Sequence, residues 1–257
     1  MSASLLIKAR TVIKAVKTIK NWNLYLLLYF GLLRNNPIFI FKNNFKIKIR
    51  ANSTDFYVLT NIWLLEEYDK KKIQIKQDDL IIDIGAHVGI FTIYASQFCS
   101  NGRIYCYEPI KENYDLLVQN IELNNIKNTT IFQKAVTDKS SIARIFLNQD
   151  SAAHSIFNES KKYVDIESIS LKDIFESNKI EKCDLLKLDC EGSEYIILNS
   201  LSDFYFHHIK KIVLEYHMAD TKPELLENLI KKLREFNYKL DIKKNTNDSG
   251  IIFAIKK

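Results

Sequence analysis

The chain has no apolar run near the roughly 20 residues that a membrane-crossing helix requires. Its longest such stretch, about ten residues from Leu24 to Leu33, is too short, and no small-residue cleavage site of the secretory type follows it. Cysteine is sparse. Cys99, Cys106, Cys183 and Cys190 form no CxxC pair, which argues against a zinc ribbon or a disulfide framework and points to a reducing compartment, the cytoplasm. With six glycines and three prolines in 257 residues, there is neither a low-complexity tract nor an internal repeat. A dense basic stripe is also missing. The net charge is +6, and much of it comes from Lys8, Arg10, Lys14, Lys17 and Lys20 and from lysines near the end, so no nucleic-acid partner is expected.

What is present begins with a patterned start. Leu5, Leu6, Ala9, Val12, Ile13, Val16 and Ile19 recur at helical spacing with lysines between them, a basic amphipathic helix. Such a face packs on protein or lies on an anionic membrane surface, and packing on protein is the favoured expectation. Pro37 ends this extension, residues 1–36. Residues 38–41 and 45–49 flank Lys42, Asn43 and Asn44 as a β-hairpin, and a helical piece over 58–68 leads through the charged residues 69–72. These form a lead-in, residues 37–72, to a catalytic domain spanning 73–257.

Within that domain apolar strands alternate with helical segments. Strands are expected at 80–84, 103–107, 130–136, 185–188 and 209–216. Helices are expected at 90–98, 111–123, 171–176, 194–201 and 221–236. Ser170 with Asp173, and Thr221 with Glu224, read as capping boxes. An insertion adds strands at 142–147 and 163–168, and residues 238–243 and 251–256 close the chain as an antiparallel pair. Alternation of this kind gives a doubly wound α/β sheet, whose ligands bind beyond the carboxyl ends of the strands.

Residues at those ends carry the chemistry. Asp83-Ile84-Gly85-Ala86-His87-Val88-Gly89 follows the first strand and opens a helix. The dinucleotide pattern G-x-G-x-x-G is absent, because His87 and Ile90 stand where its later glycines would be, which disfavours a bound pyrophosphate. Gly85 and Gly89 allow a sharp turn and a close ligand approach, and Asp83 sets the loop. Glu108, before Pro109 and a little over twenty residues past the glycine loop, suits two ribose hydroxyls. Ala135 and Val136 are placed to touch a base.

On the other side of the sheet, Lys187, Asp189, Glu191 and Glu194 crowd one strand-to-helix turn, with Gly192 behind them. Glu194 in the first helical turn also suits plain capping. Glu215 and His217 share the end of the next strand. His217 is expected as a general base oriented by Glu215 or Asp189, with Asp189 and Glu191 lining an acceptor pocket. The alternative gives Asp189, Glu191 and His217 a divalent ion that lowers the acceptor's pKa, although the sequence assigns no metal. His154, within the insertion over 151–168, is expected on a lid or an ordinary surface loop.

These stretches, together with residues 53–68, resemble the FkbM-type methyltransferases over roughly residues 45–255. Lys187-Leu188-Asp189-Cys190-Glu191-Gly192-Ser193-Glu194 is the most specific part. The resemblance implies a class I methyltransferase fold, seven strands ending in a hairpin, with S-adenosylmethionine as donor. It also implies a hydroxyl acceptor on a saccharide, glycan or natural product. The family often carries Asn where His87 stands. Two readings compete: a nicotinamide-dependent oxidoreductase on the same sheet, and a non-catalytic module attached to a glycan-assembly complex.

Overall fold

The structure is a computed structural model and describes residues 3–68, 70–146 and 162–257. It opens with helices α1 (Ala3–Thr18) and α2 (Trp22–Tyr29), then the hairpin strands β1 (Ile38–Ile40) and β2 (Lys46–Lys48). Helix α3 (Asp55–Leu59) runs into a π-helical turn, Thr60–Leu64, and α4 (Lys70–Ile73) follows. The sheet domain then alternates: β3 (Leu80–Ile84), α5 (Ile90–Ser96), β4 (Arg103–Tyr107), α6 (Lys111–Leu123) and β5 (Thr129–Phe132). Three strands of the insertion come next, β6 (Ala135–Thr137), β7 (Ser141–Phe146) and β8 (Tyr163–Ser170), with α7 (Leu171–Ser177) after them. The chain ends with β9 (Leu185–Leu188), α8 (Ser193–Ser200), α9 (Asp203–His208), β10 (Lys211–Tyr216), α10 (Pro223–Glu235), β11 (Tyr238–Lys244) and β12 (Gly250–Lys256).

Seven strands form the main sheet in the order β11-β12-β10-β9-β3-β4-β5. From β5 to β10 the neighbours are parallel, and β12 enters antiparallel between β10 and β11. That reversed last strand in an otherwise parallel sheet defines the class I methyltransferase order. The chain leaves β3 toward β4 on one side and returns as β9 on the other. The loops after β3, β4, β9 and β10 therefore meet in one crevice.

Both faces of the sheet are covered, as buried parallel strands require. One core joins Ile81, Phe91 and Leu117 to Ala15, Ile19, Tyr25, Phe39 and Trp63 of the N-terminal elements. The other packs Leu186, Leu214 and Ile252 under α7, α8, α9 and α10. The N-terminal helix thus buries Thr11 and Ala15, with Ile19 buried just after it, while Ile13 and Val16 stay exposed. Asn120 on α6 fastens the hairpin: it accepts from Lys48 N at 2.7 Å and donates to Lys48 O and to Val88 O. Among the described residues no helix is long and apolar enough to cross a membrane.

Three expectations are corrected. The strand expected over 130–136 is two strands in two sheets, because the chain leaves the main sheet after Phe132 and Ala135 pairs with Ser168 in the sheet β6-β8-β7. Thr221 does not cap α10: its hydroxyl turns back to Met218 O, and Lys222 precedes Pro223 without a side-chain cap. Residues 203–208 form a helix, and the lead-in helix starts at Asp55 rather than at 58. Ser170 does cap α7, accepting from Asp173 N at 3.0 Å. His154 lies outside the described residues.

Candidate active site

A cavity of about 280 Å³ opens at the crevice. Gly85, Ala86 and His87 wall it from the glycine loop, and Glu108 and Pro109 from the end of β4. Ala135 and Val136 line it from β6, and Asp189, Glu191 and Glu215 from the ends of β9 and β10. Asp83, Gly89 and His217 do not line it, although His217 Nε2 lies 3.7 Å from the lining residue Glu191.

The glycine loop is a turn held almost wholly by its own amides. Gly85 N and Ala86 N both donate to Tyr107 O, His87 N donates to Glu108 Oε2 at 2.8 Å, and Gly89 N donates to Ala86 O. The amides of Gly85, Ala86, His87 and Gly89 are therefore committed within the protein. Gly85 has φ +72°, and a Cβ there would sit 1.8 Å from Asp189 O. Gly89 has φ +85°, and its Cβ would meet Leu117 Cδ1 at 2.5 Å. Both glycines are thus required, but the close approach they permit is to protein, not to a ligand. His87 itself takes a left-handed φ of +51°, sparsely populated outside glycine although histidine visits it more than most residues.

Asp83 works from behind the loop. Fully buried, it accepts from Thr92 Oγ1 at 2.7 Å and pairs with Lys187 Nζ at 3.2 Å. Lys187 also donates to Gly85 O at 2.7 Å and Ile84 O at 3.3 Å, and lies 3.7 Å from Asp189. Burial works against its charge, yet Asp83 and Asp189 raise the Lys187 pKa above the usual lysine value. One buried cation therefore ties the first strand's turn to the fourth's.

Glu108 is buried and receives Ile110 N at 3.0 Å and Asn113 Nδ2 at 3.2 Å on Oε1, besides His87 N on Oε2. A carboxylate has about four acceptor sites, so after these three donors Oε2 keeps capacity for one more. Burial pushes its pKa up to about 7 against those hydrogen bonds.

The acid-rich half is organised by Glu194, which the sequence left balanced between capping and function. It does both. Oε2 accepts from Gly192 N at 2.9 Å, and Oε1 accepts from His217 N at 3.1 Å and faces His217 Nδ1 at 3.1 Å. The partner that orients His217 is thus Glu194, not Glu215 or Asp189: the α8 start lies directly under the β10 end. Burial alone would depress the His217 pKa, but Glu194, then Glu191 and Asp189, lift it to about 10. Burial, then the charge of Asp189, pushes Glu215 up to about 8. Asp189, Glu215 and His217 offer ligand atoms within 4.8 Å of one another, so the donor set that could hold an ion contains Glu215 where the sequence reading had Glu191.

Two site residues escaped the sequence reading altogether. Arg50 forks onto Asp55, Nε to Oδ2 at 2.9 Å and Nη2 to Oδ1 at 2.8 Å, and Arg50 Nη2 also reaches His87 Nε2 at 3.2 Å. Their five-residue spacing in an irregular segment carried no periodic signal.

The profile of the Methyltransferase FkbM domain matches residues 83–240, which include the glycine loop, Glu108, the acidic turn and His217. The chain belongs to the FkbM methyltransferase family. Methyltransferase 1 of Beauveria bassiana is 25% identical over 167 residues, 56% of this chain and 66% of that protein. 31-O-demethyl-FK506 methyltransferase FkbM of Streptomyces tacrolimicus is 20% identical over 185 residues, 60% of this chain and 71% of that protein. Hexuronic acid methyltransferase AglP of Haloferax volcanii is 21% identical over 254 residues, 95% and 98% of the two chains.

S-adenosylmethionine is the cofactor of this family site, and the residues fit it. The cavity gives a buried carboxylate for ribose hydroxyls and an acidic wall that suits a positively charged sulfur. The same acidic wall disfavours the pyrophosphate of the nicotinamide reading.

Proposed function

We propose that this methyltransferase acts on a hydroxyl group of a saccharide, glycan or natural product. The observation that carries the reading is Glu215, an acid with its pKa raised to about 8 that lines the same cavity as the glycine loop and Glu108. The activities of the hexuronic acid and FK506 enzymes, on a sugar acid and on an oxygen of a natural product, support the acceptor class.

When bound, S-adenosylmethionine supplies an electrophilic methyl on a positive sulfur and leaves as a neutral thioether. Glu108 would hold the ribose, and Ala135 and Val136 would face the base. Glu215, in its ionised form, would take the proton that the acceptor hydroxyl loses on methylation. A base whose pKa lies near the working pH suits this task. His217, held protonated mainly by Glu194, is poorly suited to accept a proton. It balances the carboxylates around it instead. Asp189 and Glu191 form the acceptor wall.

Incubating the protein with methyl-labelled donor and a panel of saccharides and lysate glycans tests the proposal. Label recovered as a sugar O-methyl ether is the expected outcome. Label found only on nitrogen or carbon atoms would overturn it. Donor taken up with no transfer to any acceptor would favour the non-catalytic alternative.

A further inference from the structure

Nδ1 of His87 is buried and has no hydrogen-bond partner, although His87 lines the cavity. Burying a polar atom unpaired is costly, so such an atom marks a place where a ligand group belongs. Whether it is a donor or an acceptor depends on the other ring nitrogen. Arg50 Nη2 lies 3.2 Å from Nε2, and a guanidinium can only donate. Asp55 Oδ1 is farther from Nε2, at 3.4 Å, and already accepts from the same Arg50 nitrogen at 2.8 Å. Nε2 therefore accepts. Burial holds the ring neutral, with its pKa lowered to about 4. A neutral imidazole with Nε2 accepting carries its one proton on Nδ1.

The orphan is thus an N–H donor. The charged groups of the wall give a carboxylate little welcome. Glu108, Asp189, Glu191 and Glu215 repel it, Lys187 is spent on Asp83 and on Ile84 and Gly85 carbonyls, and Lys134 pairs with Glu167 at 3.0 Å. S-adenosylmethionine brings one anionic group, the carboxylate of its amino-acid end.

We infer that Arg50 and Asp55 are positioning residues for the cofactor: they fix the tautomer of His87 so that Nδ1–H donates to that carboxylate. The inference rests on the S-adenosylmethionine reading and extends it to the lead-in, outside the segment 83–240 that the family profile matches. Asp55 is fully buried and holds Arg50 by a fork plus a bond from Arg50 N at 2.9 Å, so the guanidinium presents one fixed edge to the ring.

The test compares two ligands by calorimetry: S-adenosylhomocysteine, which has the carboxylate, and 5′-methylthioadenosine, which lacks it. A hydrogen bond to a charged group corresponds to a factor of about ten to a hundred in affinity. Arg50→Met should weaken S-adenosylhomocysteine by at least about tenfold and leave 5′-methylthioadenosine unchanged. It should also move the His87 proton to Nε2, which nitrogen-15 shifts of the imidazole read directly without turnover. Because Arg50→Met could disturb the lead-in, His87→Asn and His87→Gln provide a second pair. Asn carries an amide nitrogen near the place of Nδ1 and should keep the affinity; Gln carries it near Nε2 and should lose it. An unchanged tautomer in Arg50→Met, equal losses for both ligands, or Asn and Gln behaving alike would each overturn the inference. Wild-type protein that binds neither ligand would instead overturn the cofactor reading.

Discussion

Glu194 grips His217 twice with one oxygen: Oε1 accepts from the backbone N at 3.1 Å and faces Nδ1 at 3.1 Å. The imidazolium is held protonated mainly by this carboxylate against the pull of burial. Glu194→Gln keeps the shape and removes the charge. The His217 pKa, followed by NMR titration in cofactor-free protein, should fall from about 10 by roughly one to three units. A value unchanged in the variant would show that Glu191 and Asp189 suffice.

Activity should rise with pH. Glu215 must be ionised to take a proton, and its pKa is raised to about 8 by burial and by Asp189. The rate at saturating cofactor and acceptor is therefore expected to climb through about pH 8. In Glu215→Gln that limb should vanish and kcat fall by about 10²–10⁴-fold. A profile that keeps its limb in this variant would move the proton acceptor elsewhere.

Cofactor affinity should carry its own pH dependence, at a lower pH. The Glu108 pKa is about 7 because burial outweighs the three hydrogen bonds it receives. Ribose hydroxyls favour the ionised carboxylate, so S-adenosylhomocysteine should bind more tightly as pH rises through about 7, with a proton released below that value. Calorimetry in buffers of different ionisation heat would detect the release. Glu108→Gln should bind weakly and show no such proton linkage.

Lys187 pairs with the buried Asp83 at the centre of the site. Removing one partner of a buried ion pair leaves an uncompensated charge and costs about 3–5 kcal/mol. Lys187→Met should lose stability of that order in urea unfolding, since Asp83 has no exposure to water. Adding Asp83→Asn should recover part of the loss. Equal stabilities for the single and double variants would mean that Asp83 is not the strained partner.

Much of the architecture was legible because apolar strands and amphipathic helices announce themselves by period. The bounds of β3, β4, β9 and α6, and the terminal antiparallel pair, follow directly from that pattern. So did the catalytic neighbourhood, since strand ends of a doubly wound sheet converge wherever the chain reverses direction. What stayed hidden depends on contacts between distant segments. Nothing local in Thr130–Val136 shows that its two halves pair with different sheets. Nothing near His217 shows that Glu194, 23 residues earlier, lies beneath it. Arg50 and Asp55 meet His87 only through the fold of the hairpin. The sequence reads Gly85 and Gly89 as allowing a sharp turn and a close ligand approach, whereas what crowds them is Asp189 O and Leu117.

The contact between Gly85 and the Asp189 carbonyl has a mechanical consequence. The turn after β3 and the turn after β9 touch main chain to main chain at Gly85 and Asp189, with no side chain between them to yield. Their spacing is therefore built into the polypeptide itself, and neither turn can shift without carrying the other. A larger residue at position 85 would wedge the two halves apart, disturbing alignment of the transfer even where every charged group remained in place.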